Sequence, residues 1–379
     1  MINHKDRDHA LLSASSSSRW LACPPSAVAN EAYPNQDTAF TQEGTLAHEV
    51  AEWVASGKST NKTLLKGVND GVTNEMLECA MAYADYIEEQ KKSNDATVLL
   101  EQRVDFSPWV PDGFGTCDCL IIQDDTLTVI DYKYGQGVSV SATDNPQLRL
   151  YALGAMNDYG SVLGITKVEM HIFQPRLNNI STDSISVDDL YEWANKTVKP
   201  TADKAVKGKG KYCPGEHCRF CQHAGKCRAL TKACTEFIDT HGAKFSLPVL
   251  APYEVADVLR MEPLISLWLK KVKEQALTTL MNGDELPGYK LVEGKLGNRK
   301  WKDEYKVYDT LIALGFNEGE IVERRVLSPS QMDKAIGKKK VAELLDEYIE
   351  RAPGSPTIAP IHDKRPAYNR LAEAQNDYK

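Results

Sequence analysis

The sequence predicts an α/β protein in which helices flank a mixed β-sheet, and three observations support this fold class. Its 379 residues and 42% apolar content are typical of a globular chain with one or two domains. Two amphipathic helical patterns, at residues 44–56 and 74–91, precede a segment rich in β-forming residues at 96–133. A helical pattern at 145–158 is followed by a strand pattern at 167–173, so helices and strands alternate as in a sheet covered by helices.

Charge and hydropathy exclude several classes of protein. The net charge of −8 argues against a generally sticky nucleic-acid binder, but it leaves room for an enzyme whose basic surface is confined to one channel. No apolar run approaches the roughly 18 residues that a membrane span requires. The N-terminus lacks the apolar stretch of a signal peptide. We therefore expect a cytoplasmic protein with no membrane partner.

The first candidate element is a short helix near the N-terminus. Residues 9–25 (HALLSASSSSRWLACPP) place serines, which are good N-caps, before an apolar turn. Cys23 and the two prolines after it end that turn. The ending is too apolar for a flexible tail, so we expect this segment to pack on the core.

A longer amphipathic helix is predicted at residues 44–56. Its apolar side chains share one face: Leu46, Ala47, Val50, Trp53 and Val54. His48 lies at the edge of this face, where its ring could enter a cleft. Taken alone, a histidine in this position is more often structural than a ligand. The second helix, at 74–91, shows the same pattern and carries Cys79 among its apolar residues.

The centre of the chain predicts a β-hairpin, with strands at 115–123 and 127–133 joined by a polar turn. Strict alternation in the first strand puts Asp118 on one face and both Cys117 and Cys119 on the other, where we expect the cysteines to pack. In the second strand, Asp131 and Lys133 are two residues apart, so their side chains share a face.

The helix at 145–158 begins with Pro146, a favoured first-turn residue, and carries Gln147 and Tyr151 one turn apart. Asp118 and Asp131 can together bind a hard cation such as Mg²⁺ or Mn²⁺, which activates water for hydrolysis. Lys133 can orient that water or offset developing charge. An Asp-x-Lys triplet is common by chance, and its position at a hairpin end gives it weight.

The nine cysteines are unevenly distributed, and four lie within residues 213–227. In a cytoplasmic protein, Cys213, Cys218, Cys221 and Cys227 indicate a metal site rather than disulfides, and zinc would accept four such thiolates. A basic arm overlaps them: residues 195–230 contain nine lysines and arginines against two acidic residues. A solvated face or contact with phosphates would explain this arm.

The remainder of the chain shows no chemistry above background. Helical patterns lie at 252–281, with a break predicted at Pro263, and at 305–314 and 328–351, with a β-segment at 288–301. We therefore predict a functional domain at residues 1–235 and a mainly helical accessory region of unknown role at 236–379.

Four motifs in this order resemble those of the PD-(D/E)XK nuclease superfamily, and most closely its RecB-type branch. They are residues 44–48 (GTLAH), 115–118 (GTCD), 130–133 (IDYK) and 147–151 (QLRLY). The resemblance covers about residues 10 to 230 and implies a restriction-endonuclease-like core. It also implies that His48, Asp118 and Asp131 hold Mg²⁺ or Mn²⁺, and that Lys133 assists the attacking water. Gln147 and Tyr151 would then contact the substrate strand or brace the site.

The cysteines extend this resemblance to AddB-like and CRISPR-associated adaptation nucleases, which carry a structural 4Fe-4S cluster. In that pattern Cys218, Cys221 and Cys227 form a C-x2-C and a following cysteine, and Cys23 stands where the lone N-terminal ligand falls. The cluster would join chain segments about two hundred residues apart. The sequence departs from the pattern by also having Cys213, which could complete a purely local zinc site instead.

These observations favour a metal-dependent DNA nuclease, expected to be an exonuclease that acts on single-stranded or duplex ends. Over its whole length the chain also resembles an uncharacterised family of phage and prophage proteins. That likeness suggests DNA recombination, repair or replication, where a single-strand-binding partner is common. Two alternatives remain: an inactive DNA-binding or adaptor protein that uses a zinc or iron–sulfur knuckle, and an iron–sulfur electron-transfer protein.

Overall fold

The structure is a computed structural model of the chain. It describes residues 10–33, 39–58, 71–93, 95–160, 164–242, 251–290, 304–314 and 338–345, with residues 292, 322, 332, 348 and 349. Contacts divide the chain into two compact units, Met1–Asn298 and Arg299–Lys379, and we describe each by itself. None of the helices in the described ranges is long and apolar enough to cross a membrane.

A mixed five-stranded sheet forms the centre of the first unit, which confirms the predicted fold class. Its strands are β1 (Thr97–Asp105), β2 (Phe114–Gln123), β3 (Thr126–Tyr132), β4 (Lys167–Gln174) and β5 (Asn179–Ser186), and they lie side by side in chain order. The β3–β4 pair is parallel and the other three pairs are antiparallel. The edge strand β5 was not predicted, because its alternating sequence NISTDSIS is largely polar.

Helices cover both faces of the sheet. On one face, α3 (Ala39–Ala55) and α4 (Asn74–Gln90) pack on Ile121, Ile130 and Tyr132. On the other face, α5 (Pro146–Ala155) packs on Leu120 and Val129. Also on that side are α1 (Ser17–Ala22), α2 (Ser26–Glu31), α6 (Val187–Trp193) and α7 (Lys199–Ala205). The predicted helices and hairpin strands agree with these elements to within a few residues, apart from an earlier start of α3.

One predicted detail of β2 is wrong. Cys117 packs with Leu120 beneath α5, whereas Cys119 packs on the opposite face beneath α3 and α4. The alternation is interrupted at Asp118 and at Glu101 opposite it, where the ladder pairs the flanking residues but not these two. Glu101 has a φ of 46°, a left-handed conformation in which a strand residue cannot keep the regular pleat. Both cysteines are fully buried, as expected for packing residues.

The cysteine knuckle, residues 213–227, follows α7 and contains two short 3₁₀ turns, Glu216–Phe220 and Gln222–Lys226. It leads into α8 (Arg228–Gly242) and is followed by α9 (Pro252–Met281), and the predicted boundary at residue 235 falls inside α8. The predicted break at Pro263 is wrong, because α9 continues through it. A proline removes one backbone donor, and Leu264, Ile265 and Trp268 compensate by packing on the knuckle.

The second unit contains the described helices α10 (Glu304–Ala313) and α11 (Lys338–Leu345). These agree with the helical character predicted for the C-terminal part. Most of the β-segment predicted at 288–301 lies outside the described residues, as does most of the helix predicted at 328–351.

Candidate functional site

The predicted site residues meet around the middle of β2 and the end of β3, next to the first turn of α5 and the middle of α3. Asn145 caps α5 by accepting hydrogen bonds from the backbone nitrogens of Gln147 (3.0 Å) and Leu148 (3.4 Å). This cap, followed by Pro146 in the first turn, fixes the start of the helix. The side chain of Gln147 is thereby held over the end of β3.

The Asp118 carboxylate links two elements. Its Oδ2 accepts a 2.6 Å hydrogen bond from the backbone nitrogen of Tyr132, and its Oδ1 lies 3.2 Å from Nδ1 of His48 on α3. The His48 ring also packs edge-on against Tyr132, with ring centroids 5.2 Å apart. Burial lowers the pKa of His48, but the charge and hydrogen bond of Asp118 and the charge of Asp131 together outweigh it, so the pKa lies above the ordinary histidine value.

Asp131, Lys133, Gln147 and Tyr151 form one hydrogen-bonded chain. Nζ of Lys133 lies 2.8 Å from Oδ2 of Asp131 and donates to Oε1 of Gln147 at 3.3 Å. Nε2 of Gln147 donates to Oδ1 of Asp131 at 3.0 Å and to the Tyr151 hydroxyl at 3.2 Å. The amide of Gln147 therefore fixes the positions of both the carboxylate and the lysine.

The two groups of residues are electrostatically coupled. Asp131 is only 2% exposed, and burial raises the pKa of its carboxyl above the usual range, with Asp118 contributing in the same direction. Burial lowers the pKa of Lys133, but the charges of Asp131 and Asp118 together raise it by a larger amount. Its pKa therefore lies above the ordinary lysine value, and the lysine is charged at neutral pH. The site thus combines a buried carboxylate pair with a fixed cation.

Glu101 is a candidate ligand that the sequence motifs did not identify. Ligand atoms of His48, Glu101 and Asp118 all lie within 4.8 Å of one another, and all three side chains are half-buried. Burial and the neighbouring Asp118 raise the pKa of Glu101 to about 7. The sequence signal that could have identified Glu101 was its carboxylate in the middle of the apolar strand pattern TVLLEQRV. By itself, such a carboxylate indicates a residue that faces solvent.

Arg176 attaches the helical face of the site to the sheet. Its guanidinium makes two 3.2 Å hydrogen bonds to Glu75 on α4 and one 3.3 Å hydrogen bond to Glu43 on α3. It also lies over the Tyr134 ring, 4.4 Å from the centroid. Because His48 lies on the same helix as Glu43, this cluster contributes to the position of His48.

The second candidate site is a pocket between the N-terminal helices and the cysteine knuckle. It is lined by five cysteines: Cys23, Cys213, Cys218, Cys221 and Cys227. The knuckle is attached to α2 by Asn30, which donates to Sγ of Cys221 at 3.4 Å and accepts from the backbone nitrogen of Gln222 at 2.8 Å. The structure therefore brings Cys23 to the knuckle, and it brings Cys213 there as well.

A buried arginine, Arg19, lies close to two cysteines of this pocket, Cys23 and Cys221. Arg19 is 9% exposed, and its Nη1 donates to the backbone oxygen of Ser26 at 2.7 Å, yet it pairs with no carboxylate in the described ranges. Burial lowers the pKa of Arg19, and Cys221 and Cys23 are the groups that raise it. Burial raises the pKa of the Cys23 thiol, and raises that of Cys218 to about 11. Burial therefore keeps these thiols protonated in the chain alone, and the nearby Arg19 cation would offset part of the negative charge of thiolate ligands once a metal displaced their protons.

The pocket does not contain a preassembled tetrahedral zinc site. Around one zinc ion, four sulfurs at about 2.3 Å would lie about 3.8 Å from one another. Among the described residues, no three of the cysteine sulfurs lie within 4.8 Å of one another. The described residues show no group of cysteines assembled for an iron–sulfur cluster either, so their spacing does not distinguish the two kinds of metal site. Of the remaining cysteines, Cys79, Cys117, Cys119 and Cys234 are buried in the packed core.

All six residues predicted for the catalytic site lie in one connected group, and all four predicted cluster ligands line one pocket. Glu101 and Arg19 are additions from the structure. Comparison with known families shows which family the chain belongs to but assigns no activity to it. Residues 9–366 match a family model described as a protein of unknown function, DUF2800, and the chain belongs to that family.

Proposed function

We propose that this protein is a metal-dependent DNA nuclease with a restriction-endonuclease-like core. One observation carries the proposal: α3, β1, β2, β3 and α5 each contribute a polar side chain to one coupled group of His48, Glu101, Asp118, Asp131 and Gln147, with Lys133 directly after β3. A lysine held between a buried aspartate and an amide at the end of the central strand β3 is not needed for the packing of the sheet. It is the arrangement expected for phosphodiester hydrolysis.

The donor atoms fit a hard divalent cation. One imidazole nitrogen and the carboxylate oxygens of Glu101 and Asp118 lie within 4.8 Å of one another and are ligands that Mn²⁺ and Mg²⁺ accept. Asp131, the other predicted ligand, lies outside this group and would complete the ligand set only by approaching the same ion. The raised pKa values of Glu101 and Asp131 reflect burial and the mutual repulsion of these carboxylates, which a cation would relieve. When bound, such an ion polarises a phosphoryl oxygen and lowers the pKa of a water molecule.

The side chains then have separate roles. Lys133 carries its positive charge to the place where negative charge develops as the phosphorus–oxygen bond to the leaving sugar oxygen breaks. Gln147 fixes the positions of Lys133 and Asp131, because its Oε1 accepts from the lysine and its Nε2 donates to the carboxylate. The Tyr151 hydroxyl accepts from Gln147 and fixes the orientation of that amide. Given these roles, replacing Lys133 should lower the rate of cleavage without unfolding the protein.

Cleavage of labelled DNA tests the proposal. Single-stranded and duplex oligonucleotides are incubated with the purified chain and Mn²⁺ or Mg²⁺, and Lys133→Ala is compared with Lys167→Ala. Lys167 is an exposed lysine on β4 that pairs with Glu169, so it controls for loss of charge alone. We expect Lys133→Ala to lower the rate by about 100-fold or more, Lys167→Ala to leave it unchanged, and Asp131→Ala to abolish it.

Equal cleavage by wild type, Lys133→Ala and Asp131→Ala would indicate a contaminating nuclease and contradict the proposal. Binding of DNA with no cleavage under any metal condition would favour the inactive adaptor instead. A reversible redox couple with no dependence of function on Asp118 would favour an electron-transfer protein. A setting in phage DNA recombination, repair or replication stays a prediction, as does a single-strand-binding partner.

For the cysteine pocket we propose a structural 4Fe-4S cluster held by Cys23, Cys218, Cys221 and Cys227. Support comes from the buried Arg19, which lacks a carboxylate partner in the described ranges, and from the position of Cys23 at the knuckle. When bound, such a cluster supplies four sulfur–iron bonds between the N-terminal helices and the knuckle. Zinc held by Cys213 and the three knuckle cysteines is the alternative that metal analysis would detect.

A further inference from the structure

The cysteine knuckle presents a phenylalanine to solvent. Phe220 is 68% exposed, whereas Cys218 and Cys221 on either side of it are 7% exposed. The backbone nitrogen of Cys221 donates to the oxygen of Cys218 at 3.1 Å, and this turn holds the two cysteines inward and the two residues between them, Arg219 and Phe220, outward. A large aromatic ring is therefore displayed on a short, well-anchored turn, although the core beside it has apolar residues with which it could pack.

The surroundings of Phe220 are strongly basic. The segment 207–226 has one acidic residue, Glu216, and five exposed cations: Lys207, Lys209, Lys211, Arg219 and Lys226. None of these five forms a salt bridge with a residue of the described ranges, whereas Lys196 and Lys232 on the flanking helices pair with Glu192 and Glu236. In a protein with a net charge of −8, this concentration of positive charge is a local property of the knuckle and of the six residues that precede it.

We propose that the knuckle binds single-stranded nucleic acid, with one base stacked on Phe220 and the phosphates on either side held by the neighbouring cations. Stacking on an exposed aromatic ring combined with a basic track is how proteins hold single strands without reading sequence. A duplex keeps the faces of its internal bases stacked, so it cannot offer one to this ring. The inference deepens the proposed function by naming the single strand as the form of substrate that is captured.

Fluorescence anisotropy tests this inference without any cleavage. A labelled oligothymidylate, the same length of oligouridylate and a matched duplex are titrated with the full chain in EDTA, after anaerobic purification. We compare Phe220→Ala, Phe220→Trp and Ile180→Ala, the last of which removes a similarly exposed apolar side chain, 55% exposed, from the edge strand β5. Lys209→Gln and Lys92→Gln form the matched pair for charge.

We expect the single strands to bind more tightly than the duplex, and Phe220→Ala to weaken single-strand binding by about tenfold or more. Phe220→Trp retains a stacking face and should bind like wild type, as should Ile180→Ala. Lys209→Gln should make the dependence of log affinity on log salt shallower by about 0.7, as expected for one lost phosphate contact to a single strand. Lys92→Gln should leave this slope unchanged.

The inference is overturned if Phe220→Ala binds like wild type, if the duplex binds more tightly than the single strand, or if no nucleic acid binds. Comparing the affinities for oligothymidylate and oligouridylate shows whether DNA or RNA is preferred. Because the titrations contain no divalent cation, they are independent of the proposed hydrolysis. A chain that binds through Phe220 but never cleaves would contradict the proposed function alone, and a chain that cleaves with no role for Phe220 would contradict only this inference.

Discussion

At the scale of single residues, Asp118 is the carboxylate that links the acidic groups of the site. Its ligand atom lies within 4.8 Å of those of His48 and Glu101, and its charge raises the pKa of the buried Asp131, which Lys133 contacts. Such a concentration of negative charge destabilises the metal-free chain and prepares it for a cation. The pKa of Glu101 is raised to about 7, so the ionisation of this residue reports how strongly the site disfavours negative charge.

Replacing Glu101 by glutamine should stabilise the metal-free protein and weaken its binding of Mn²⁺. In EDTA at pH 8 we expect the free energy of unfolding to rise by about 1 kcal/mol, after allowance for solvent screening of a partly exposed group. The folded pKa lies above the unfolded value of about 4.3, so the gain should be complete above pH 7 and should vanish as the pH falls toward 4. Urea unfolding at several pH values measures it.

The matched control for this prediction is Glu169→Gln. Lys167 lowers the pKa of Glu169 through a hydrogen bond, so its carboxylate stabilises the fold where that of Glu101 does not. The control should therefore lower stability, and it should leave Mn²⁺ affinity unchanged. A loss of stability in Glu101→Gln would show that this carboxylate is not under repulsion.

Gln147 and Tyr151 should differ in their importance, although they lie one turn apart. Removing the amide with Gln147→Ala releases both Asp131 and Lys133, whereas Tyr151→Phe removes only the hydroxyl that accepts from Gln147. We expect the cleavage rate to fall by about 100-fold in the first variant and by about tenfold or less in the second. Single-turnover rates on labelled DNA check this order, and the reverse order would mean that the Tyr151 hydroxyl itself contacts the reacting strand.

At the scale of elements, two glycines of the motif region should respond to alanine in opposite ways. A Cβ at Gly44 in α3 would meet no atom within 4 Å, whereas a Cβ at Gly115 in β2 would lie 2.8 Å from Cε1 of Tyr151. Gly44→Ala should therefore stabilise the helix by about 0.5–1 kcal/mol, and Gly115→Ala should destabilise the fold by about 1–3 kcal/mol. Urea midpoints measure both, and a destabilised Gly44→Ala would reveal a close neighbour on that face of α3.

The elements also show what a sequence can predict and what it cannot. Helix α4, helix α5 and strands β2 and β3 were predicted to within a few residues, because their apolar periods and turn residues are local signals. The interruption at Glu101 and Asp118 was not predictable, because a left-handed residue in one strand is stabilised by the strand opposite and by the site. For the same reason Glu101 itself was missed, whereas Asp118, Asp131 and Lys133 were recognised from motif order.

At the scale of the whole molecule, the cysteine pocket links chain segments that are far apart in sequence. The cofactor proposed for this pocket would give the protein a visible colour. Anaerobically purified protein should be brown and absorb near roughly 400 nm, as iron–sulfur proteins do. Cys23→Ala should lose this colour and lower the melting temperature, because the N-terminal helices then keep hydrogen bonds to the knuckle, such as those of Asn30, but lose the link through the cluster. Cys213→Ala should retain it. Visible absorbance, iron content and thermal melts measure the three effects.

Two results would contradict this assignment. A colourless protein that contains one zinc ion would indicate the local site of Cys213 and the three knuckle cysteines. Loss of iron in Cys213→Ala with retention in Cys23→Ala would exchange the roles of the two competing ligands. In either case the core of the sheet should stay folded, because its two packed faces hold most of the buried apolar residues.

The contact between α2 and the knuckle has a consequence for how the protein is made. Asn30 and Cys221 are 191 residues apart in the chain. At a synthesis rate of about 5–20 residues per second, Cys23 leaves the ribosome roughly 10–40 seconds before its partners do. During that interval the N-terminal helices have no knuckle on which to dock. Insertion of any cofactor that uses Cys23 is therefore a late event, and shortage of that cofactor would leave a chain in which no metal joins the N-terminal helices to the knuckle.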